Sequence, residues 1–156
     1  MRDVEGKQRM RRRGIVILAV VFFVCVALVT GYSVRHYSES LPAVETLALT
    51  ETEVDGVVWD GCVPVGALCP LDGGMMYTLH AVRQAEGPWG KQYFVTEKQV
   101  LCTQVYPDME ENELVPVACL DEAEGLVIAG VVRESGTVPA SDPAAGLYEG
   151  TEIHLK

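Results

Sequence analysis

The stretch IVILAVVFFVCVALV, residues 15–29, contains fifteen consecutive apolar residues. Gly14, Thr30, Gly31 and Tyr32 extend this uncharged stretch to nineteen residues. At about 1.5 Å per residue, a helix of this length spans roughly 28 Å, which is close to the hydrocarbon thickness of a bilayer. A helix also satisfies its own backbone hydrogen bonds in lipid. The sequence therefore predicts a transmembrane helix over residues 15–32, with the membrane bilayer as its partner.

The charges that flank the apolar run predict its orientation. Residues 1–14 form a basic tail with six basic and two acidic side chains, and Arg11, Arg12 and Arg13 directly precede the run. Beyond the run, Arg35 is the only basic residue before Arg83. The excess of positive charge on the cytoplasmic side of membrane helices then predicts a single-pass cell-membrane protein with a cytoplasmic N-terminus and an extracytoplasmic C-terminus.

Two kinds of cleaved signal share this charge order and are disfavoured. A secretory signal needs a small-x-small cleavage site, and Val29-Thr30-Gly31 does not supply one. A lipoprotein signal would end at Cys25, but Val24 occupies the position where a small residue is needed. We therefore expect the helix to be retained, with Cys25 as a small apolar residue within it.

The remaining chain is strongly acidic. The first fourteen residues contribute +4 to a whole-chain charge of −10, so residues 15–156 carry −14. This charge argues against nucleic acid as a partner, because phosphate binding needs a basic surface. It also argues against a β domain that lies flat on an anionic membrane. Residues 33–156, 124 in number, are enough for one small domain with its own core.

The outer part is predicted to be mostly β. Residues 33–50 read as a juxtamembrane linker that enters a first extended segment, and residues 51–156 as the extracytoplasmic β domain. Short runs rich in β-branched and aromatic residues recur between turn signals. They are Val54–Trp59, Cys62–Leu68, Met75–Arg83, Lys91–Tyr106, Leu114–Leu120, Leu126–Val132 and Thr151–Leu155. Gln84–Gly90 reads as a hairpin connection and Glu134–Gly146 as a loop. This pattern predicts a small β-barrel or sandwich after one transmembrane helix.

Four cysteines follow the helix, namely Cys62, Cys69, Cys102 and Cys119. An even number outside the cytoplasm permits disulfides. Cys62 and Cys69 would then close a short loop, and Cys102 and Cys119 would join adjacent strands. A zinc site is disfavoured because the spacing contains no C-x2-C pair. The sequence leaves one or two disulfides and free thiols as open alternatives.

No constellation typical of an enzyme is present. The three histidines, His36, His80 and His154, have no metal-type spacing, and His80 reads as a packing residue on a strand. The motifs G-x-S-x-G and S-x-x-K are missing from the sequence. The acidic segment Asp108–Glu113 lacks the ordered pattern of a calcium loop. We expect no catalytic residue, no cofactor and no metal ligand, and we take Trp89, in the hairpin connection, as the candidate partner contact.

Several segments together resemble periplasmic adaptor proteins, also called membrane fusion proteins, of the HlyD and RND-associated type. Val63–Leu68 (VPVGAL) is similar to their V-P-x-x-A-L strand entry, and Asp72–Arg83 to their D-G-x-x-Y-V-x-V-V-R strand. Glu86–Lys98 and Gly125–Ile128 follow in the family's order, and Leu147–Ile153 (LYEGTEI) is similar to the closing L-x-x-G-x-x-V. The resemblance covers mainly residues 63–156.

The resemblance implies a membrane-proximal β domain that docks on the extracytoplasmic face of a transporter. In adaptors a lipoyl-like domain and an α-helical hairpin precede this region, whereas here only eighteen residues separate Val44 from Val63. Both inserted domains are therefore expected to be absent. The predicted function is a non-enzymatic accessory protein that binds a transporter permease or related envelope complex, with its oligomeric state left open. The alternative is a single-pass sensor domain that binds an extracytoplasmic ligand or the cell wall.

Overall fold

A computed structural model describes residues 2–71, 74–88, 90–121 and 125–156, with side chains from residue 12 onwards. The chain divides after Ser40 into a helical unit and a β unit, Leu41–Lys156. The helical unit is one α-helix, α1, Arg2–Ser40. The apolar side chains of residues 15–32 are exposed, and the most apolar eighteen-residue window of the helix has a mean hydropathy of 2.9 with none of it buried in the protein. The helix is thus long and apolar enough to cross a membrane, as expected for residues 15–32.

The helix ends later than the apolar run. Residues 33–40, the first part of the predicted juxtamembrane linker 33–50, are helical and continue α1. Arg35 Nε and Glu39 Oε1 lie 2.8 Å apart, one helical turn from each other, and no glycine or proline interrupts this segment. The helix stops where Pro42 disfavours helical backbone at Leu41. Only Leu41 and Pro42 separate α1 from the first strand.

The β unit contains eleven strands among its described residues. Their bounds are β1 Ala43–Ala48, β2 Thr52–Val54, β3 Val57–Trp59, β4 Gly61–Pro64, β5 Leu68–Pro70, β6 Met76–Gly87, β7 Gly90–Leu101, β8 Leu114–Cys119, β9 Leu126–Arg133, β10 Gly136–Pro139 and β11 Glu152–Leu155. Short 3-10 turns at Val65–Ala67 and Pro143–Ala145 complete the unit.

Three predicted segments differ from the structure because turn residues interrupt or shorten them. The run Val54–Trp59 is the hairpin β2–β3, since Asp55 (φ 53°) and Gly56 (φ 78°) form a turn with two positive φ angles. The run Cys62–Leu68 breaks at the Val65–Ala67 turn. The connection predicted over Gln84–Gly90 is much shorter, because β6 continues to Gly87 and β7 begins at Gly90.

The sheet closes through the long hairpin β6–β7. One ring of paired strands runs from β6 through β7, β11, β1 and β9 back to β6. The other half of the hairpin pairs with β5 and β8, and β8 pairs with β4, which leads through the 3-10 turn into β5. The result is the barrel-like β domain that the sequence predicts, with β10 added on the edge of β9.

Two buried clusters correspond to these two halves. The first contains Val63, Leu68, Leu79, Val100, Val115 and Val117, together with Ala67, Cys102 and Val127. The second contains Val44, Val95, Ile128, Val131 and Ile153, with Ala140, Ala145 and Leu147 from the segment before β11. Burial of these side chains removes apolar surface from water and stabilises the fold. The second cluster also draws the segment Ala140–Leu147 onto the sheet.

Candidate functional site

The predicted contact residue Trp89 lies outside the described residues. The four cysteines of the β unit and Cys25 are all free thiols in the structure. The choice between free thiols and disulfides stays a prediction. The two proposed pairings, Cys62–Cys69 and Cys102–Cys119, differ in the strands on or beside which their cysteines lie.

Cys102 and Cys119 lie on neighbouring strands but out of register. Cys119 pairs with Val100 across β7 and β8, and Leu101 pairs with Ala118, so Cys102 follows the last paired residue of β7. Cys102 is 2% exposed and belongs to the first core cluster, and the partly buried Cys119 packs against that cluster. The predicted neighbourhood of the strands is correct. The register offsets the two residues along the strands, which is unfavourable for a disulfide because that bond needs closely spaced Cα atoms.

Cys62 and Cys69 face different neighbours. Cys62 pairs with Pro116 of β8, whereas Cys69 pairs with Thr78 of β6. The 3-10 turn Val65–Ala67 lies between their strands. Cys62 and Cys69 thus lie on two different strands, and a disulfide between them stays a prediction.

Cys69 lies beside His80. The pairing of Cys69 with Thr78 puts His80 two residues further along β6 on the same side of the sheet. Cys69 Sγ is 3.9 Å from His80 Nδ1 and 4.0 Å from the carbonyl oxygen of Ala140. His80 is 7% exposed and Cys69 is half-buried. The sequence placed His80 in a packing role, and its burial agrees, but its contact with a thiol was missed.

The segment Ala140–Tyr148 covers this pair and is fixed by hydrogen bonds. Ser141 N donates to the carbonyl of Gly66 at 2.9 Å, and Asp142 Oδ1 accepts from Ala144 N at 2.7 Å. The Arg133 guanidinium donates to the carbonyl of Ala144. Together with Cys69 and His80 the segment encloses a cavity of about 210 Å³, which is lined also by Leu147 and Tyr148. The thiol and the imidazole thus face a small, ordered space.

Burial determines the charge state of the pair. Desolvation lowers the pKa of His80, and the carboxylates of Glu97 and Glu149 and the Ala140 carbonyl only partly oppose it. Desolvation raises the pKa of the Cys69 thiol, and the negative charge of Glu97, which pairs with His80 across β6 and β7, raises it further. At neutral pH the pair is therefore a neutral thiol beside a neutral imidazole.

A second cavity, of about 420 Å³, is acidic. Its polar lining comes from Glu45, Glu111, Asn112 and Thr137, over a floor of small residues that includes Gly66. Thr137 Oγ1 lies 3.4 Å from Glu45 Oε2. Glu111 belongs to the acidic segment Asp108–Glu113. Among the described residues no group of three or more His, Cys, Asp or Glu has the geometry to hold a metal ion.

The β unit also exposes an apolar row at one end of the sheet. Met76 pairs with Leu101 on β7, and its carbonyl accepts a hydrogen bond from Leu71 N at 3.1 Å, so the three residues lie side by side. Met75, which is 63% exposed, adjoins them through the hydrogen bond from Cys102 N to its carbonyl. We call Leu71, Met75, Met76 and Leu101 the methionine patch. Its members are all partly or fully exposed.

No protein-family model, curated protein or solved structure matches this chain. The protein is therefore described by its own architecture, a candidate membrane-spanning helix followed by a small barrel-like β domain.

Proposed function

We propose that this chain is a single-pass cell-membrane protein whose extracytoplasmic β unit docks on an integral membrane transporter, as the resemblance to periplasmic adaptors implies. The observation that carries the proposal is the methionine patch. Contiguous exposed apolar surface is typical of protein–protein contact sites. Methionine side chains also adapt to varied partner surfaces because they are flexible and polarisable.

The anchor supports a partner within the membrane. Leu41 and Pro42 are the only residues between α1 and β1, so the β unit is held on a very short tether to a helix able to span the bilayer. Such a tether confines the β unit to the membrane surface and raises its local concentration near other membrane proteins. In the proposed orientation, the basic residues 1–14 stay in the cytoplasm.

The negative charge of residues 15–156 indicates which kind of partner surface would bind them. Residues 15–156 carry −14, so a partner loop with apolar residues surrounded by lysine and arginine would be attracted and oriented. The hairpin β2–β3 occupies the part of the chain where adaptors carry their lipoyl and helical domains. The proposed role is therefore docking and positioning, without the family's reach towards an outer partner.

Site-specific photocrosslinking in intact cells tests this proposal. A photoreactive phenylalanine analogue replaces Met75, and Leu120, another exposed apolar residue, is the matched control position. The proposal expects Met75 to crosslink to one multi-spanning membrane protein that Leu120 does not capture. Adducts that are the same at both positions, or that contain only soluble proteins, would overturn it.

The acidic cavity favours a second candidate, a sensor for a cationic ligand. Glu45 and Glu111 face the cavity without a salt bridge to any described residue, and Asn112 adds an amide that can orient a ligand. Calorimetric titration of the full-length protein with spermidine or arginine amide, beside Glu111→Gln, tests it. Saturable binding that Glu111→Gln weakens would support the sensor, and heats no larger than dilution would dismiss it.

A further inference from the structure

We propose that Cys69 and His80 form a binding site for a soft monovalent metal ion, Cu(I) or its analogue Ag(I), which lies between Cys69 Sγ and His80 Nδ1. This site is independent of transporter docking, since the methionine patch shares no residue with it. The argument rests on the kind of donors, their separation and the charge balance of their surroundings.

The donors are those that copper prefers. Thiolate sulfur is a soft ligand that selects Cu(I), and neutral imidazole also suits copper. Zinc would need about four protein ligands in a structural site, whereas the pair supplies only two. Cu(I) and Ag(I) accept two-coordinate geometry, so the two donors can complete their coordination.

The separation of the donors fits an ion between them. Metal–sulfur and metal–nitrogen bonds of about 2.3 and 2.0 Å allow a donor separation of up to roughly 4.3 Å. The observed Sγ–Nδ1 distance is 3.9 Å, which such an ion bridges at a wide angle without movement of the strands. Cys69 is on β5 and His80 on β6, which are paired directly, so the register itself sets this distance.

Charge balance favours a monovalent ion over an isolated thiolate. Burial penalises an uncompensated thiolate at Cys69 and a protonated imidazole at His80. When Cu(I) binds, the thiol S–H bond breaks, the sulfur binds the metal, and the proton passes to solvent. Thiolate, Cu(I) and neutral imidazole then carry no net charge. The nearby carboxylate of Glu97 provides further attraction for the entering cation.

A hydrogen bond between the Cys69 thiol and the His80 imidazole explains their closeness poorly. A thiol is a weak donor, and the carbonyl oxygen of Ala140, 4.0 Å from Cys69 Sγ, competes with His80 Nδ1 as its acceptor. The cavity of about 210 Å³ beside the pair gives an ion a place to enter, and the segment Ala140–Tyr148 fixes its far wall. Cys69 is half-buried and therefore reachable from this side.

Competition for Cu(I) tests the site on the full-length, reduced protein in detergent without oxygen. Bicinchoninate buffers free Cu(I), and Cys69→Ser and His80→Gln are compared with Cys62→Ser and Cys119→Ser, which remove thiols elsewhere in the β unit. We expect one tight Cu(I) in the wild type that Cys69→Ser loses and that His80→Gln weakens at least about tenfold, since even ligand-supporting groups have effects of that size. The two control variants should retain it.

X-ray absorption of the Cu(I)-loaded wild type gives a readout that does not depend on how His80→Gln folds. One sulfur and one nitrogen in the first coordination shell would support the site. A shell of sulfur alone would overturn it, because the ion would then rest on other thiols. Retention of the tightest site in Cys69→Ser would also overturn it.

Discussion

Asp60 Oδ2 accepts a hydrogen bond from the backbone N–H of Cys119 at 2.7 Å, although 59 residues separate the two in sequence. Asp60 N donates in turn to the carbonyl of Val117 at 3.1 Å. The last residue pair between β4 and β8 is Gly61 with Val117. Beyond that pair, the Asp60 carboxylate accepts the backbone hydrogen bond at the end of β8. These two hydrogen bonds hold the residue before β4 against the end of β8.

Asp60→Ala should therefore destabilise the β unit. The backbone N–H of Cys119 would lose a charged acceptor in a partly buried place, which costs about 1–3 kcal/mol of unfolding free energy. Urea unfolding of the detergent-solubilised protein, followed by tryptophan fluorescence, measures the change. Asp60→Asn, which retains an oxygen acceptor, is the matched control and should lose less. Equal losses in both variants would show that the charge rather than the acceptor matters.

Gly130 should not tolerate a side chain. A Cβ atom on Gly130 would lie 2.6 Å from the carbonyl oxygen of Val138 and 2.7 Å from Thr137 Cγ2, on the neighbouring strand β10. Backbone on a paired strand cannot move aside cheaply, so Gly130→Ala should lower the unfolding free energy by about 3 kcal/mol, the upper range for overpacking. Denaturant unfolding provides the measurement.

Gly87→Ala is the control for this prediction. Its added Cβ would clash with Gln92 Oε1, but that atom ends a flexible side chain. Gln92 can turn away and lose its 3.1 Å hydrogen bond to Glu152, at a cost of at most about 1 kcal/mol. A loss at Gly87 as large as that at Gly130 would contradict the distinction between rigid backbone and mobile side chain.

How closely each helix or strand is predicted from the sequence depends on whether its own residues are enough to determine it. The apolar run over residues 15–29 predicts a helix because length and hydrophobicity alone determine that outcome. The strands Leu114–Cys119, Leu126–Arg133 and Glu152–Leu155 were predicted nearly to the residue, since their β-branched runs are bounded by turn residues. Strand β10 was not predicted because Gly136 and Pro139 are typical of loops. Its extended backbone is held by hydrogen bonds to β9.

The candidate site was harder to predict because it depends on register. Cys69 and His80 lie on the antiparallel strands β5 and β6, and a register placing Cys69 opposite Thr78 brings them together. The turn signal in the sequence locates the hairpin, but a shift of one residue would send His80 to the other face. The covering segment Ala140–Tyr148 comes from a distant part of the chain, so no local pattern indicates its contact with His80.

His80 should make the β unit sensitive to mild acid. Its pKa is lowered in the folded protein, mainly by burial. As the pH falls through the unfolded-state value of about 6.5, the unfolded chain binds a proton that the folded chain does not, so stability is lost. Unfolding free energies at about pH 7.5 and about pH 5.5 should show this loss, and His80→Gln should reduce it.

The control for this titration is His154, whose side chain is exposed. His154→Gln should retain the acid-dependent loss. The groups that face His80 are Cys69, Glu97 and Glu149, and the two carboxylates act against the effect of burial. Removal of the Glu97 charge in Glu97→Gln should lower the folded-state pKa of His80 further, so the loss of stability should still begin near the unfolded-state value but become larger and extend to lower pH. A slope that His80→Gln leaves unchanged would assign the acid sensitivity to other groups.

The proposed membrane orientation is tested with single cysteines. In a variant with the five native cysteines replaced by serine, Ser38→Cys lies on the C-terminal side of the apolar run and Gln8→Cys lies in the basic tail. A membrane-impermeant maleimide added to intact cells should label Ser38→Cys but reach Gln8→Cys only after the membrane is opened, because positively charged flanks stay in the cytoplasm. An N-terminal epitope tag should remain on the membrane-bound chain, as expected for a helix that is retained. Labelling in the reverse order would invert the orientation, and loss of the tag would identify the run as a cleaved signal.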